Sequence, residues 1–408
     1  MHYPFHKLLR YELSLFLYDK WLLASVTIIP AVLMLLICSI FQQGIIRDLP
    51  VAVVDMNNST LSRRLTRAID ATEAMQVQGN YLNMQEAAQA MRGADVYMLV
   101  YIEPKFAQKV IKHESPSVDA FYNTQFILVG RTLVAQLQKV VTTLSIGASV
   151  QRNLMEGNVR KVQALGNTLP IQQQITPLYN LGSRYDQFLL SVIIPCIWQI
   201  LIMVVMVLSF SAQHRRTGIT FWIDRTGLSG FVAKLVVYQV IFLGMGVSFL
   251  YYLYQYLGWP MQGSWSILVT HQYLMVVATQ AVASLIYFIT LDPARALSFS
   301  ASYVAPALAF VGITFPVNSM MIFPKIWRSL LPVTHYMQVQ VTQVNYGLSA
   351  VQILPYTLHL MLFSLFFILV WLRIHMLQNS KYHDLLSFGF GTEKDPIAGK
   401  IVAHGEKQ

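Results

Sequence analysis

Five stretches of this chain, residues 21–46, 187–214, 235–291, 296–324 and 329–372, contain no Asp, Glu, Lys or Arg. No other feature restricts the fold so tightly. A helix needs about 20 mostly apolar residues to cross the hydrocarbon core of a bilayer. Soluble domains carry about 25% charged residues. Here 12% of 408 residues are charged, 55% are hydrophobic and the mean hydropathy is +0.48. The stretch 235–291 is long enough for two crossings, with a polar turn at Gly258, Trp259, Pro260 and Gly263 between them. Spans are therefore expected near 21–46, 187–211, 232–256, 266–290, 296–315 and 352–374, six in all. The first is longer than the roughly 7–15 apolar residues of a signal peptide and is expected to remain as an anchor. The spans are read as free of the charged side chains that mark ion relays. His271 and His359 are read as packing or interface residues, and Cys38 and Cys196 as buried thiols.

Charge sets the expected orientation. Residues 47–186 carry 14 Lys/Arg and 11 Asp/Glu, leaving 15 basic and 8 acidic residues of the totals of 29 and 19. With the amino terminus inside, all of those 15 except Lys325 and Arg328 fall on the cytoplasmic side, as the positive-inside rule requires. The pI of about 9.5 then calls for anionic membrane lipid as a partner and for no nucleic acid. Residues 1–20 read as a cytoplasmic interfacial helix or, equally, as the start of a long first helix.

After Asp48 the periodicity changes. "LPVAVVD" reads as a buried strand, "NNSTLSRRLTRAIDA" as a capped helix, "MQVQGNY" as a strand and "NMQEAAQAMRGA" as a helix. "VYMLVYIE" and "SVDAFYN" read as strands flanking the helix "PKFAQKVIKHE", and residues 125–160 as one long helix. The fold class expected is an α-helical integral membrane protein with six transmembrane helices plus an inserted extracytoplasmic α/β domain. The boundaries are 1–20 for the interfacial helix, 21–46 for the first span and 47–186 for the α/β domain. Spans two to six occupy 187–377, with a re-entrant segment at 316–336, and a cytoplasmic tail occupies 378–408. Asp55, Asn58 and Ser59 read as strand-end and helix-cap residues. No catalytic constellation, metal site or cofactor site is found.

The last part of the apolar region is broken by Pro316, Asn318, Pro324 and Pro332, with His335 close behind. Irregular backbone at membrane depth survives only where protein or a water cavity satisfies its polar groups. These five residues are accordingly expected to form a re-entrant segment, or outer gate, of short helices packed inside the protein; an ordinary Pro-rich loop is the competing reading.

Four blocks resemble one family. "VAVVDMNNSTLSRRLTRAI" at 51–69, "VYMLVYIEPKFAQKVIKHESPSVDAFYN" at 96–123, "ITPLYNLGSRYDQFLLSVIIP" at 175–195 and "GITFPVNSMMIFPKIWRSLLPVTHY" at 312–336 are similar to ABC-2 type exporter permeases of the multidrug-efflux kind. The resemblance implies the permease subunit of an ATP-driven exporter in a bacterial inner membrane, both termini cytoplasmic. It implies an ABC ATPase partner holding ATP and Mg, a second permease subunit (the same chain or a related one) and, in some members, a periplasmic adaptor protein. No phosphate-binding G-x-x-x-x-G-K-[ST] loop occurs; the Gly399-Lys400 pair is followed by Ile401. The loop 211–230 resembles the family's coupling region, which implies contact with the ATPase for Gln213, His214, Arg215, Arg216, Thr217 and Gly218; a basic lipid-contacting loop is the competing reading. The family usually has acidic residues before that turn, so this chain departs from it in charge. The cargo expected is a drug or other amphipathic molecule. A membrane-anchored scaffold or receptor with an external binding domain, and a secondary carrier, stay open as other readings.

Overall fold

The computed structural model describes residues 4–41, 47–112, 114, 116–124, 127–155, 184–312 and 315–378. It divides into two compact units, residues 43–185 and the remainder of the chain.

In the unit 43–185, strands β1 (Leu49–Asp55), β2 (Met75–Asn80), β3 (Met98–Ile102) and β4 (Val118–Tyr122) form one sheet in the order β2-β1-β3-β4. The first three are parallel and β4 runs antiparallel to β3. The connecting helices between parallel strands cover opposite faces of the sheet. Val51, Val53, Met98 and Val100 meet Leu65 and Ile69 of the helix Thr60–Asp70 and Leu133 and Leu137 of the helix Ile127–Met155. Ala52, Val54 and Leu99 meet Ala87 of the helix Met84–Arg92. Burial on both faces explains why "VAVV" is an unbroken apolar run rather than an alternating one. The expected helix 125–160 is described from Ile127 to Met155, and residues 156–160 lie outside the described residues.

The other unit is a helical bundle. We number its helices α1 (Phe5–Tyr18), α2 (Lys20–Val26), α3 (Ile28–Ile40), α4 (Tyr185–Thr217), α5 (Ile219–Tyr251), α6 (Trp265–Thr290), α7 (Pro293–Val304), α8 (Ala307–Phe310), α9 (Ile322–Ser329), α10 (Pro332–Tyr346), α11 (Ala350–Leu362) and α12 (Phe366–Gln378). Five helical segments are long and apolar enough to cross a membrane: Lys20–Ile40, Asp186–Thr217, Ile219–Tyr256, Trp265–Thr290 and Ala350–Gln378. The span expected at 296–315 is not among them. Pro306 has no N–H to continue the ladder, so α7 stops at Val304 and α8 begins at Ala307. Ala305 N still bonds Ala301 O and Val311 N bonds Ala307 O, which makes 293–311 one kinked helical rod. Its 19 residues span about 28 Å at 1.5 Å per residue.

Large aromatic side chains fill the bundle. Phe210 stacks on Tyr287 with ring centroids 5.1 Å apart and meets Phe288 edge-on at 5.3 Å. Polar residues in this interior bond backbone across helices: Gln272 Nε2 donates to Gly246 O at 2.9 Å and Gln280 Nε2 to Leu235 O at 3.3 Å. The helix Lys20–Ile40, by contrast, exposes Trp21, Ile28, Leu35 and Ile40. Cys38 is half-buried, Cys196 is buried, and both are free thiols. The expected tail begins at the last residue of α12, and residues 379–408 lie outside the described residues.

Candidate functional site

At one end of the bundle α4 reverses into α5 at Gly218, whose φ of 76° and ψ of 137° lie where side chains other than glycine's are strained. The segment 211–230 is therefore not the loop expected from the sequence. The helix continues to Thr217 because its polar residues bond within it, Gln213 Nε2 donating to Thr217 Oγ1 at 2.7 Å. Gly227 (φ 59°, ψ −152°) breaks α5 and isolates a short helix at 219–226. Ile219, Trp222 and Ile223 of that helix are buried, whereas Phe221, Asp224 and Arg225 are exposed. The six residues assigned to ATPase contact divide accordingly. Gln213 is buried and His214 is half-buried with Nδ1 3.2 Å from the Tyr287 hydroxyl, while Arg215, Arg216 and Thr217 are exposed and Gly218 forms the turn. The apolar positions 219, 222 and 223 between two glycines were the available sign of the short helix.

Beside this junction lies a feature absent from the sequence reading. Lys234, inside the expected span 232–256, contradicts the view that the spans are free of charge. Its Nζ is 2.6 Å from Oε2 of Glu12, with 0% and 2% of the two side chains exposed. Lys234 Nζ also sits 5.5 Å from the centre of the Trp222 ring and 6.0 Å from that of Phe210, both within cation–π range. The physical reason the reading failed is that Lys234's counter-ion lies 222 positions earlier in the chain. Glu12 is carried by α1, which is a separate helix because Asp19 adopts extended backbone (φ −85°, ψ 99°) and caps α2 by accepting from Leu22 N. Asp19 Oδ2 also lies 3.8 Å from Arg216 Nη2, and Phe16 meets Tyr238 edge-on at 5.9 Å. These contacts fasten α1 to α4 and α5.

Toward the other end, the residues predicted to form a gate do not make one cluster. Pro316 and Asn318 are exposed around a 3-10 turn at Val317–Ser319, and Pro324 is half-buried in α9. Pro332 and His335 are buried in the first turn of α10. The separation follows from α9, an eight-residue helix tied to the rod 293–311 by Trp327 Nε1 donating to Tyr303 O at 3.2 Å and Arg328 Nη2 to Val311 O at 3.2 Å. The next helix, α10, starts part-way along the bundle. Val333 N donates to Oε1 of Gln199 at 2.7 Å, and Gln199 lies 14 residues, about 21 Å, inside the Tyr185 end of α4. From there α10 climbs beside α4, with Gln340 Nε2 3.5 Å from Ser191 O and Gln343 Oε1 accepting from Ser264 N at 3.1 Å near its far end. His335 donates from Nε2 to Ser329 O at 2.9 Å and stacks on His359. His271 bonds Ile267 O and Thr357 Oγ1, a packing role.

In the unit 43–185 an open cleft of about 790 Å³ lies beyond the carboxyl ends of β1 and β2, lined by Asp55, Asn58, Arg63, Arg67 and Tyr81 among others. Asp55 Oδ1 accepts from Asn57 N and Asn58 N, and Ser59 caps the following helix, as the strand-end and cap reading expects. No group of three metal-ligating side chains occurs among the described residues.

A comparison with curated proteins finds no match. A comparison with protein families does: the family described as ABC-2 family transporter protein matches residues 20–373. That match covers the first span, the inserted sheet, the Gly218 junction, the kinked rod and the half-length helix α10. The chain therefore belongs to the ABC-2 transporter family and is a membrane permease component of an ABC transporter.

Proposed function

We propose that the chain exports drugs or other amphipathic molecules, driven by a separate ABC ATPase that binds ATP and Mg and docks on the Gly218 end. The observation that carries this is the short helix 219–226, held between two glycine breaks and braced from behind by the buried Glu12–Lys234 pair. A force applied to the exposed Arg215 and Arg216 at the end of α4 and to Phe221 of this short helix reaches α1, α4 and α5 together instead of being lost in a floppy loop. Alternating access then follows if ATP favours one arrangement of two such permease subunits.

The Gly218 end is taken as cytoplasmic, in a bacterial inner membrane. Arg215, Arg216, Arg225, Arg295 and Arg373 lie at helix ends there, Arg373 Nε bonding Phe288 O, as the positive-inside rule predicts. The rod 293–311 supplies the sixth crossing in this reading, which returns both termini to one side and puts the α/β unit outside. A helix beginning inside the bundle, as α10 does, is the form of a re-entrant outer gate. A periplasmic adaptor protein would meet the external unit.

Coexpression with an ABC ATPase tests the proposal. The ATPase is expected to copurify, and charge reversal at Arg215 and Arg216 to abolish ATP-dependent uptake into inverted vesicles while the protein still folds. Unchanged uptake removes this junction from coupling. The cleft beside Arg63 and Arg67 favours one second reading, an external receptor whose spans carry nothing; efflux that needs the spans but tolerates R63Q/R67Q speaks against it.

A further inference from the structure

We propose that the start of α10 holds the anionic head of an amphiphile at the outer edge of the membrane. Four side chains converge there from three elements. His335 of α10 and His359 of α11 stack face to face, ring centroids 4.8 Å apart and planes 15° from parallel. Arg328 of α9 is half-buried close by, with Tyr356 of α11 also near its guanidinium. Each imidazole spends one nitrogen on a backbone carbonyl: Nε2 of His335 on Ser329 O and Nδ1 of His359 on Pro355 O. The second nitrogen of each ring can donate to an anion only in the protonated imidazolium, the form that a bound anion favours. Arg328 spends Nη2 on Val311 O, and its Nε is buried without a partner.

Charge makes the ligand anionic. From Pro293 to Arg373 the sequence contains no Asp or Glu, so no carboxylate on the surrounding elements α7 to α12 answers Arg328. A half-buried cation is normally paired with an anion or a cluster of carbonyls, and a single carbonyl is neither. The fifteen-residue helix α10 adds the positive end of its dipole at the same place. Two further polar groups at this turn are incompletely bonded. Gln199 is wholly buried, and although its Oε1 takes Val333 N, its Nε2 has no partner. Thr334, in the first turn of α10, is also buried with Oγ1 unsatisfied.

Exposure favours an amphiphile over a free anion. The cluster sits at the level of Gln199, about 27 Å along α4 from Thr217 and beside the Val311 end of the rod, the depth of outer-leaflet headgroups in the reading above. His359 is on the outer surface of the bundle and lies among exposed Leu358, Leu362 and Met361. A molecule with an acyl or aromatic body would lie along this apolar surface with a phosphate or carboxylate head against His359 and Arg328. The identity of such a molecule as cargo rests on the export reading above; its binding does not.

The test is lipid retention by the purified full chain in mild detergent, read by native mass spectrometry without an ATPase. The probes are dioleoylphosphatidylglycerol, dioleoylphosphatidylcholine and inorganic phosphate. Wild type is expected to retain phosphatidylglycerol over phosphatidylcholine. R328Q and H359Q are each expected to lose about tenfold of that preference, the scale of one charge-assisted hydrogen bond, and R295Q at the opposite end to keep it. His359 is exposed, so H359Q reports on the site even where R328Q fails to fold. Equal retention of the two lipids, or an unchanged preference in H359Q, overturns the proposal. Displacement of phosphatidylglycerol by inorganic phosphate assigns the cluster to a free anion and overturns the amphiphile. Failure here leaves ATP-driven efflux, measured separately in vesicles, untouched.

Discussion

Replacing Lys234 by Met removes the charge and keeps most of the apolar stem that lies on Trp222 and Phe210. It leaves the Glu12 carboxylate almost fully buried with no cation, and Glu12 Oε1 already lacks a partner. Breaking a buried pair from one side costs about 3–5 kcal/mol. Loss of the contacts with Trp222 and Phe210 adds about 0.5–2 kcal/mol. Glu12→Gln spares those contacts and offers Lys234 an amide oxygen, so its cost belongs near 3 kcal/mol, the lower end of the same range. Replacing both residues by Met leaves no stranded charge, and such exchanges are neutral or stabilising by about 1–4 kcal/mol. The double variant is therefore expected to be more stable than either single one. The coupling between the two sites comes to several kcal/mol, at the top of the range seen for residues in contact.

Reversible unfolding in mixed detergent micelles, followed by far-ultraviolet circular dichroism across the four-variant cycle, measures this coupling. Hydrogen exchange of the amides in α1 gives a second readout. They should exchange faster in K234M and return toward wild-type rates in the double variant. Costs that simply add would refute the reasoning, because they would mean that Glu12 and Lys234 do not share a desolvated pair. A double variant that folds stably but no longer couples ATP to efflux would separate the clamp's mechanical part from its structural one.

Three further outcomes follow from local geometry. A Cβ on Gly246 would stand 2.6 Å from Cζ2 of the buried Trp198, so G246A should cost about 1–3 kcal/mol, and W198F, which lacks that atom, should recover part of it; thermal melts decide. Around Gly218 a Cβ meets nothing within 4 Å, so G218A should cost only the backbone strain of about 1–3 kcal/mol. G218N should cost as much in the same melts, because ψ 137° lies outside the left-handed region that Asn tolerates. Ser59 Oγ accepts from Ser62 N at 3.0 Å, and S59A should lower the local stability of Thr60–Asp70 by about 1 kcal/mol, seen as roughly fivefold faster exchange of its first amides.

What could be read in the chain alone was whatever depends on near neighbours. The strands at 49–55 and 98–102 were legible because β-branched and aliphatic runs end at turn residues, and α4, α6 and the Ala350–Gln378 helix because each holds twenty or more residues without a charge. The misreadings share a cause. "QHRRTG" looks like a loop because it is polar, yet polarity reports exposure to water or headgroups and says nothing of backbone: Arg215 and Arg216 are exposed on a helix that runs on to Thr217. Pro306 is one residue in an apolar run, and hydropathy does not register its missing N–H.

Lys234 and Arg328 were the harder cases, and the contrast between them is instructive. Both are cations among apolar residues, so sequence treats them alike: as an interface charge or an exception to the charge bias. In space they differ in what answers them. Lys234 is fully enclosed and neutralised by Glu12 from a helix at the far end of the chain, so its cost is already offset within the protein and a ligand could gain nothing by binding it. Arg328 is half-buried, with Val311 O as its bonded acceptor and no carboxylate on the elements around it. A closed pair is a brace, and an open cation is an invitation to an anion. In the two proposals made above, force transmission belongs to the Gly218 end and recognition to the start of α10, about 27 Å apart along α4, the 18 residues from Gln199 to Thr217.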